Sequence, residues 1–389
     1  MSEATSVVVF GAGAAGRGLV GLLFARAGCR VVFVDIKDEL VDRLRGAGRY
    51  RVLLHRLAGG TEEQVVEGFR VLHARDREAV AREVAGADFV MTAVFAQNLP
   101  DVAKTLALGV ARCRAAGRTK PLNVIACENM KKSSSTLRGH VAALLGADDL
   151  NFVSDLVGFP DCMINRVVPN PADPLSIETE DYCEWTVESA AVKGAWPANV
   201  DFIERVDNQA ARLDRKLFVY NGSHAACAYF GHRQGCAWIH EAIDHPRVAP
   251  DVEGVLREQG AVVCRQHGFS PESMEAYQQD FRLRCRNAGL RDAIGRIGRQ
   301  PSRKLGRQER FVAPTKLAID YGLPRAFLLK AIAAALRFNH PDDPDSQALS
   351  ARIAAEGWRK TLSAIGGFAE DDPLMNELAD AVERAPGAG

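Results

Sequence analysis

A chain of 389 residues is longer than one hydrophobic core usually serves, so two domains are expected. Basic and acidic side chains balance at 49 each, which removes any whole-surface electrostatic case for binding nucleic acid or a membrane. Nine cysteines without a C-x-x-C pair fit reduced thiols rather than a disulfide framework, and the longest apolar runs are far too short to span a bilayer.

Residues 1–5 carry no signal-peptide pattern and run directly into Ser6–Phe10, a β-branched run that predicts a strand. Together with the thiols this predicts a cytoplasmic protein. Gly11-Ala12-Gly13-Ala14-Ala15-Gly16 then opens a helical pattern through Ala27, and Val31–Val34 is a second strand ending at Asp35. Strand, G-x-G-x-x-G, helix, strand and acid is the order a dinucleotide fold requires. Gly11 and Gly13 allow a tight turn and close approach of a pyrophosphate, Gly16 lets the helix pack on the sheet, and Ala14 and Ala15 begin the helix whose N–H groups face the phosphates. Asp35, nineteen residues after Gly16, would accept from the ribose hydroxyls and repel a 2′-phosphate, which favours NAD over NADP.

Further along, 38–46, 76–84 and 98–115 read as helices, 87–91 and 122–126 as strands, and 49–73 as an inserted hairpin or short extra strands around Gly59-Gly60. Strands alternating with helices imply a parallel doubly wound sheet, whose ligands bind beyond the carboxyl ends of the strands. Thr92 and Val94 follow one such end. Asn129 follows another, where a helix cap is the alternative reading. The segments 152–157, 164–168, 175–178 and 184–187 read as further strands extending the sheet. From 208 onward the pattern is helical: 208–230, 250–267, 271–285, 313–321, 325–338, 346–365 and 372–384. The predicted fold is therefore α/β, with a Rossmann-type doubly wound N-terminal domain carrying extra strands (1–200) and a mainly α-helical C-terminal domain (201–389).

Lys216, Asn221 and His224 bring an amine, an amide and an imidazole to one stretch of helix. Lys216 and Asn221 are about 140° apart on an α-helix, with His224 between them. A desolvated lysine can serve as a general base, an amide can donate to a developing oxyanion, and a histidine can orient a hydroxyl. That set suits alcohol oxidation without a metal; the alternative is a solvated amphipathic face. His240-Glu241 with His245 misses the H-E-x-x-H spacing by one residue, and no metal site is expected. Between 291 and 310, seven basic residues (291, 296, 299, 303, 304, 307 and 310) oppose Asp292 and Glu309 in a stretch read as a loop from Gly295, Gly298, Pro301 and Gly306. Bidentate arginines there make a natural phosphate site, and a basic surface loop is the alternative.

These segments resemble the polyol-specific long-chain dehydrogenase family. The likeness runs through FGAGAAGRG (10–18), TAV (92–94), NVIACENM (123–130), DPLSIETEDYCEW (173–185), DNQAARLDRKLFVYNGSHA (207–225) and GRQPSRKL (298–305). K-x-x-x-x-N-x-x-H is the family's catalytic signature. The resemblance implies a zinc-independent dehydrogenase in which Lys216 is the general acid/base, Asn129 and Asn221 hold the reacting oxygen, and His224 positions a neighbouring hydroxyl. The arginine-rich segment resembles the sugar-phosphate branch, with Arg299, Arg303 and Lys304 as phosphate ligands. The implied reaction is D-mannitol 1-phosphate and NAD⁺ to D-fructose 6-phosphate and NADH; another hexitol phosphate, a free polyol or an aldonate is the alternative. Family analogy implies a monomer or weak homodimer. The sequence departs from the family pattern at Ala14, at Met91, at Phe95-Ala96 (usually Gly-Pro) and at Gly222-Ser223 (Thr-Gly in the sugar-phosphate branch).

Overall fold

The computed structural model describes residues 4–384, which divide into two compact units after Gln209. Twelve strands lie in the first unit: β1 (Ser6–Phe10), β2 (Arg30–Asp35), β3 (Arg49–His55), β4 (Thr61–Glu67), β5 (Arg70–His73), β6 (Phe89–Thr92), β7 (Leu122–Ala126), β8 (Val157–Gly158), β9 (Cys162–Asn165), β10 (Ser176–Glu180), β11 (Glu184–Glu188) and β12 (Glu204–Val206). Six of them form one parallel sheet in the order β5-β2-β1-β6-β7-β8. Renumbered within that sheet the order is 3-2-1-4-5-6, the dinucleotide-binding topology, and the strand order reverses between β1 and β6. Every residue of β1 is buried. Val7 and Val9 join the apolar layer on one face, and Val8 and Phe10 the layer on the other. That two-sided burial is why the strand reads as a continuous apolar run.

Two expectations for this unit are corrected. Residues 152–157 are not a strand: Ala147–Leu156 is a helix, with Asp148 and Asp149 in its first turn and only the two-residue β8 after it. Acids at a helix N-terminus complement its dipole, and this outweighs the strand-like apolar content of the segment. The later strands also do not extend the main sheet. β10 pairs with the β3–β4 hairpin, and β9, β11 and β12 form a separate sheet. The pairing of β12 with β11 keeps residues 204–206 with the first unit.

The second unit is helical and surrounds one apolar core that includes Val219, Tyr229, Val255, Phe281, Phe311 and Phe338. The helix expected over 346–365 is broken in two, Pro344–Glu356 and Trp358–Gly366, by Gly357 at φ 83°. The stretch from 291 to 310, read as a loop, contains two short helices, Ile294–Gly298 and Pro301–Lys304. Among the described residues no helix is long and apolar enough to cross a membrane.

Candidate active site

In the first unit the glycine loop lies at the carboxyl end of β1. Gly11 has φ 94° and donates its N–H to the Val34 carbonyl at 2.7 Å. A Cβ on Gly16 would stand 1.8 Å from the Gly11 carbonyl oxygen, so no side chain fits there. A Cβ on Gly13 would meet nothing within 4 Å, so this turn is open on the side where a ligand would approach. Helical winding starts at Ala14, and Ala15 is exposed, as a phosphate-facing helix start requires. The next turn is a π-helix, Gly16–Gly21, in which the Leu22 N–H reaches the Arg17 carbonyl.

Asp35 ends β2 and is buried. It braces the glycine loop, accepting from the Ala12 N–H at 2.7 Å through one oxygen and from the Lys37 N–H at 3.0 Å through the other. Each carboxylate oxygen retains a second lone pair for a ligand hydroxyl. Arg17, wholly buried, donates from Nε to the Ala12 carbonyl at 2.6 Å and also bonds the Pro174 carbonyl. This loop is therefore held from both sides before any ligand binds.

Thr92 and Val94 share a partner that the sequence reading missed. The Thr92 hydroxyl lies 2.7 and 2.8 Å from the two Glu128 oxygens, and the Val94 N–H donates to Glu128 at 3.0 Å. The Glu128 carboxylate thus joins the ends of β6 and β7, and the next residue, Asn129, is exposed in the loop that follows β7. Phe95, where the family pattern has glycine, is 75% exposed at φ 75° and ψ 144°. A non-glycine residue there stores about 1–3 kcal/mol of backbone strain.

In the second unit, Lys216 lies in a second π-helix, Arg215–Tyr220, and the Asn221 N–H bonds the Lys216 carbonyl. An i→i+5 bond places residue i+5 over residue i. The expected separation of about 140° on an α-helix is therefore corrected: Lys216 and Asn221 sit on one face, both half-buried. His224 follows on the α-helix Asn221–His232 and is buried, its ring 5.5 Å from Tyr220 and 6.4 Å from Phe281. Its Nε2 lies 3.1 Å from Asp292 Oδ2. The Gly222-Ser223 departure has a packing cause. A Cβ at Gly222 would stand 2.3 Å from Gln259 Nε2, and the Ser223 hydroxyl donates to Gln259 Oε1 at 3.0 Å.

The basic segment separates into inward and outward groups. Arg299 and Arg303 are exposed; Arg303 donates to Gln300 Oε1 at 3.2 Å and pairs with Glu309 at 3.3 Å. Lys304 is only 4% exposed and donates to the Ile297 carbonyl. Burial, helped by the Arg310 and Arg303 charges, pushes its amine down to about 6. The structure places Lys304, expected as a phosphate ligand, with its side chain in the core, toward the Tyr229 ring at 5.7 Å. The segment itself is anchored by Asp343 and Asp345, which accept from the Gln300 and Ser302 N–H groups at 2.9 Å each. Elsewhere in this unit, Glu241 caps its own helix by accepting from the Ala237 and Trp238 N–H groups at 2.9 and 3.0 Å.

Residues 5–199 match the family model for the mannitol dehydrogenase Rossmann domain, and residues 211–384 match the model for the mannitol dehydrogenase C-terminal domain. The chain is 37% identical over 379 residues to a mannitol-1-phosphate 5-dehydrogenase of Brevibacillus brevis, covering 97% of each protein. Its fold resembles that of a Pseudomonas fluorescens mannitol 2-dehydrogenase solved with NAD and D-mannitol, with a TM-score of 0.74 at 17% identity over 98% of this chain and 95% of that one. It also resembles a D-sorbitol dehydrogenase, with a TM-score of 0.80 at 16% identity over 98% and 94%.

Proposed function

The chain belongs to the mannitol dehydrogenase family along both of its units, and from that premise we propose that it is an NAD-dependent hexitol-phosphate dehydrogenase interconverting D-mannitol 1-phosphate and D-fructose 6-phosphate. The observation that carries this reading is the π turn that brings residues Lys216 and Asn221 onto one helix face, with His224 one turn further along. Proton transfer, oxyanion stabilisation and hydroxyl positioning are the three tasks a metal-independent alcohol oxidation asks of its protein.

The glycine loop fits a dinucleotide: Gly16 closes on the Gly11 carbonyl, Gly11 packs against the Ala93 backbone, and Gly13 is open. Ala14 and Ala15 would present helix N–H groups to the pyrophosphate, and Asp35 would receive the adenosine ribose. A carboxylate at that position repels a 2′-phosphate, which supports NAD over NADP. Thr92 and Val94, fixed by Glu128, would border the cofactor at the strand ends. When bound, NAD⁺ would supply the acceptor for the hydride that leaves the carbinol carbon. In oxidation Lys216 takes the hydroxyl proton, and the Asn221 amide, with Asn129 as the family's second amide, donates to the oxygen as it gains negative charge. His224 holds a neighbouring hydroxyl. The products are the ketose phosphate, NADH and one proton. Arg299 and Arg303, exposed and carrying fork-shaped guanidinium groups, take the phosphate.

A second reading, oxidation of a free polyol, is favoured by one observation: Lys304, expected as the third phosphate cation, is turned inward. NADH oxidation by the purified protein with fructose 6-phosphate, run beside free fructose, separates the two. Turnover with the phosphate alone supports the sugar-phosphate reading; turnover with fructose alone replaces it with the free-polyol one.

A further inference from the structure

The family pattern assigns a role to His224 and none to the carboxylate beside it. Asp292 lies between the helix Pro271–Cys285 and the short helix Ile294–Gly298, and its backbone is pinned. The Ile239 N–H donates to the Asp292 carbonyl at 2.9 Å, and the Ile294 N–H to the Ala237 carbonyl at 3.0 Å. Its side chain divides between two partners. Oδ2 lies 3.1 Å from His224 Nε2, and Oδ1 accepts from Arg296 Nε at 3.0 Å. Burial raises the Asp292 carboxyl, but His224 and Arg296 outweigh it and hold the group below the ordinary carboxylate range, so it is ionised.

Among the described residues three other histidines pair with carboxylates, and each is more open. His55–Glu178, His73–Asp38 and His267–Asp214 have side-chain exposures of 12% and 52%, 12% and 64%, and 11% and 15%. His224–Asp292 stands at 8% and 9%. A buried ion pair is a weak source of stability, because desolvation offsets the attraction, so its retention asks for another reason. The tautomer supplies one. A carboxylate facing Nε2 keeps the proton on that nitrogen, and in a neutral imidazole Nδ1 is then an acceptor. Tyr220 and Phe281 pack against the ring and limit its rotation.

We infer that Asp292 is a positioning residue for His224: it fixes the imidazole in one orientation with the proton on Nε2, so that Nδ1 accepts a hydrogen bond from the substrate hydroxyl next to the reacting carbon. The inference rests on the proposed dehydrogenase reading. Arg296 completes the arrangement by keeping the second carboxylate oxygen occupied, so the acid has one orientation to offer.

The test combines D292N, D292E, H224A and the double variant H224A/D292N, with two readouts. One is turnover with fructose 6-phosphate and NADH; the other is two-bond ¹H–¹⁵N NMR of imidazole-labelled protein, with the His224 signal identified by its loss in H224A. The expected result is a wild-type signal with the proton on Nε2, lost or mixed in D292N, and a roughly 10- to 100-fold loss of kcat/KM, the scale of a small misplacement of a catalytic group. D292E, which keeps the charge, recovers part of that loss, and the double variant is no slower than H224A, because the two residues act as one unit. An unchanged urea-unfolding midpoint and circular dichroism spectrum in D292N establish that the variant is folded. An unaltered His224 signal in D292N, or losses that multiply in the double variant, overturns the inference alone. Full turnover in H224A overturns the inference together with the reading of His224.

Discussion

Replacing Lys304 by methionine tests the inward placement of this residue, and magnitudes can be worked from its surroundings. An amine held at about 6 in the folded protein is neutral at pH 7, whereas in the unfolded chain it is protonated with its ordinary value of 10.5. Folding at pH 7 must therefore remove a proton 3.5 pH units below that value, which at about 1.36 kcal/mol per unit costs about 5 kcal/mol. Methionine carries no such cost and fills a similar volume. It does leave the Ile297 carbonyl without its donor, a loss of about 1–3 kcal/mol. The variant should be more stable than wild type by about 2–4 kcal/mol at pH 7. The sign of the pH dependence follows from the proton count. Between about 6 and 10.5 the unfolded chain binds more protons than the folded one, so wild-type stability rises with pH. The advantage of K304M should therefore shrink to roughly nothing by pH 9.5. Urea unfolding of both proteins at pH 7 and 9.5 measures it, with the KM for fructose 6-phosphate taken alongside. A variant less stable at pH 7, or a difference unaffected by pH, would refute the argument. A KM raised tenfold or more would return Lys304 to the substrate.

Gly16→Ala should abolish NADH binding measured by fluorescence titration, since its Cβ meets the Gly11 carbonyl at 1.8 Å and the loop must shift to admit it. Lys216→Ala should lower kcat by at least the roughly 10²–10⁴-fold typical of general acid/base catalysis while NADH binding persists; near-normal turnover would remove Lys216 from the mechanism. Arg299→Ala and Arg303→Ala should each raise KM for fructose 6-phosphate with little change in kcat, because a contact shared by ground and transition states is uniform binding. Unchanged KM in both would leave the basic segment as surface charge.

What the sequence disclosed depended on whether the signal was local. The order of strand, glycine loop, helix, strand and Asp35 is a local pattern, and the six-stranded sheet follows from it. Lys216, Asn221 and His224 were visible as residue types, but their true alignment depends on the π turn. One extra residue in a helical turn leaves no mark in hydrophobic periodicity. Residues 152–157 have aromatic and β-branched content that reads locally as a strand, whereas the helix they belong to starts upstream, at the acids 148 and 149. Asp292, Glu128 and Gln259 were invisible as site residues because each acts on a partner distant in sequence, at 224, 92 and 223 respectively. For Lys304 charge counting pointed outward, and only the winding of Pro301–Lys304 shows it facing the core.

Gln259 also has a mechanical consequence. Its side chain is completely buried and tied at both ends: Oε1 accepts from Ser223, and Nε2 donates to the Arg310 carbonyl at 2.9 Å. Any motion that parts the helix Asn221–His232 from the close of the basic segment must break a buried hydrogen bond of the Gln259 amide, at about 1–3 kcal/mol. The residue pair at 221 and 224 therefore shares one rigid body with the chain at Arg310. A shift of either segment is thus transmitted to the other through the Gln259 amide.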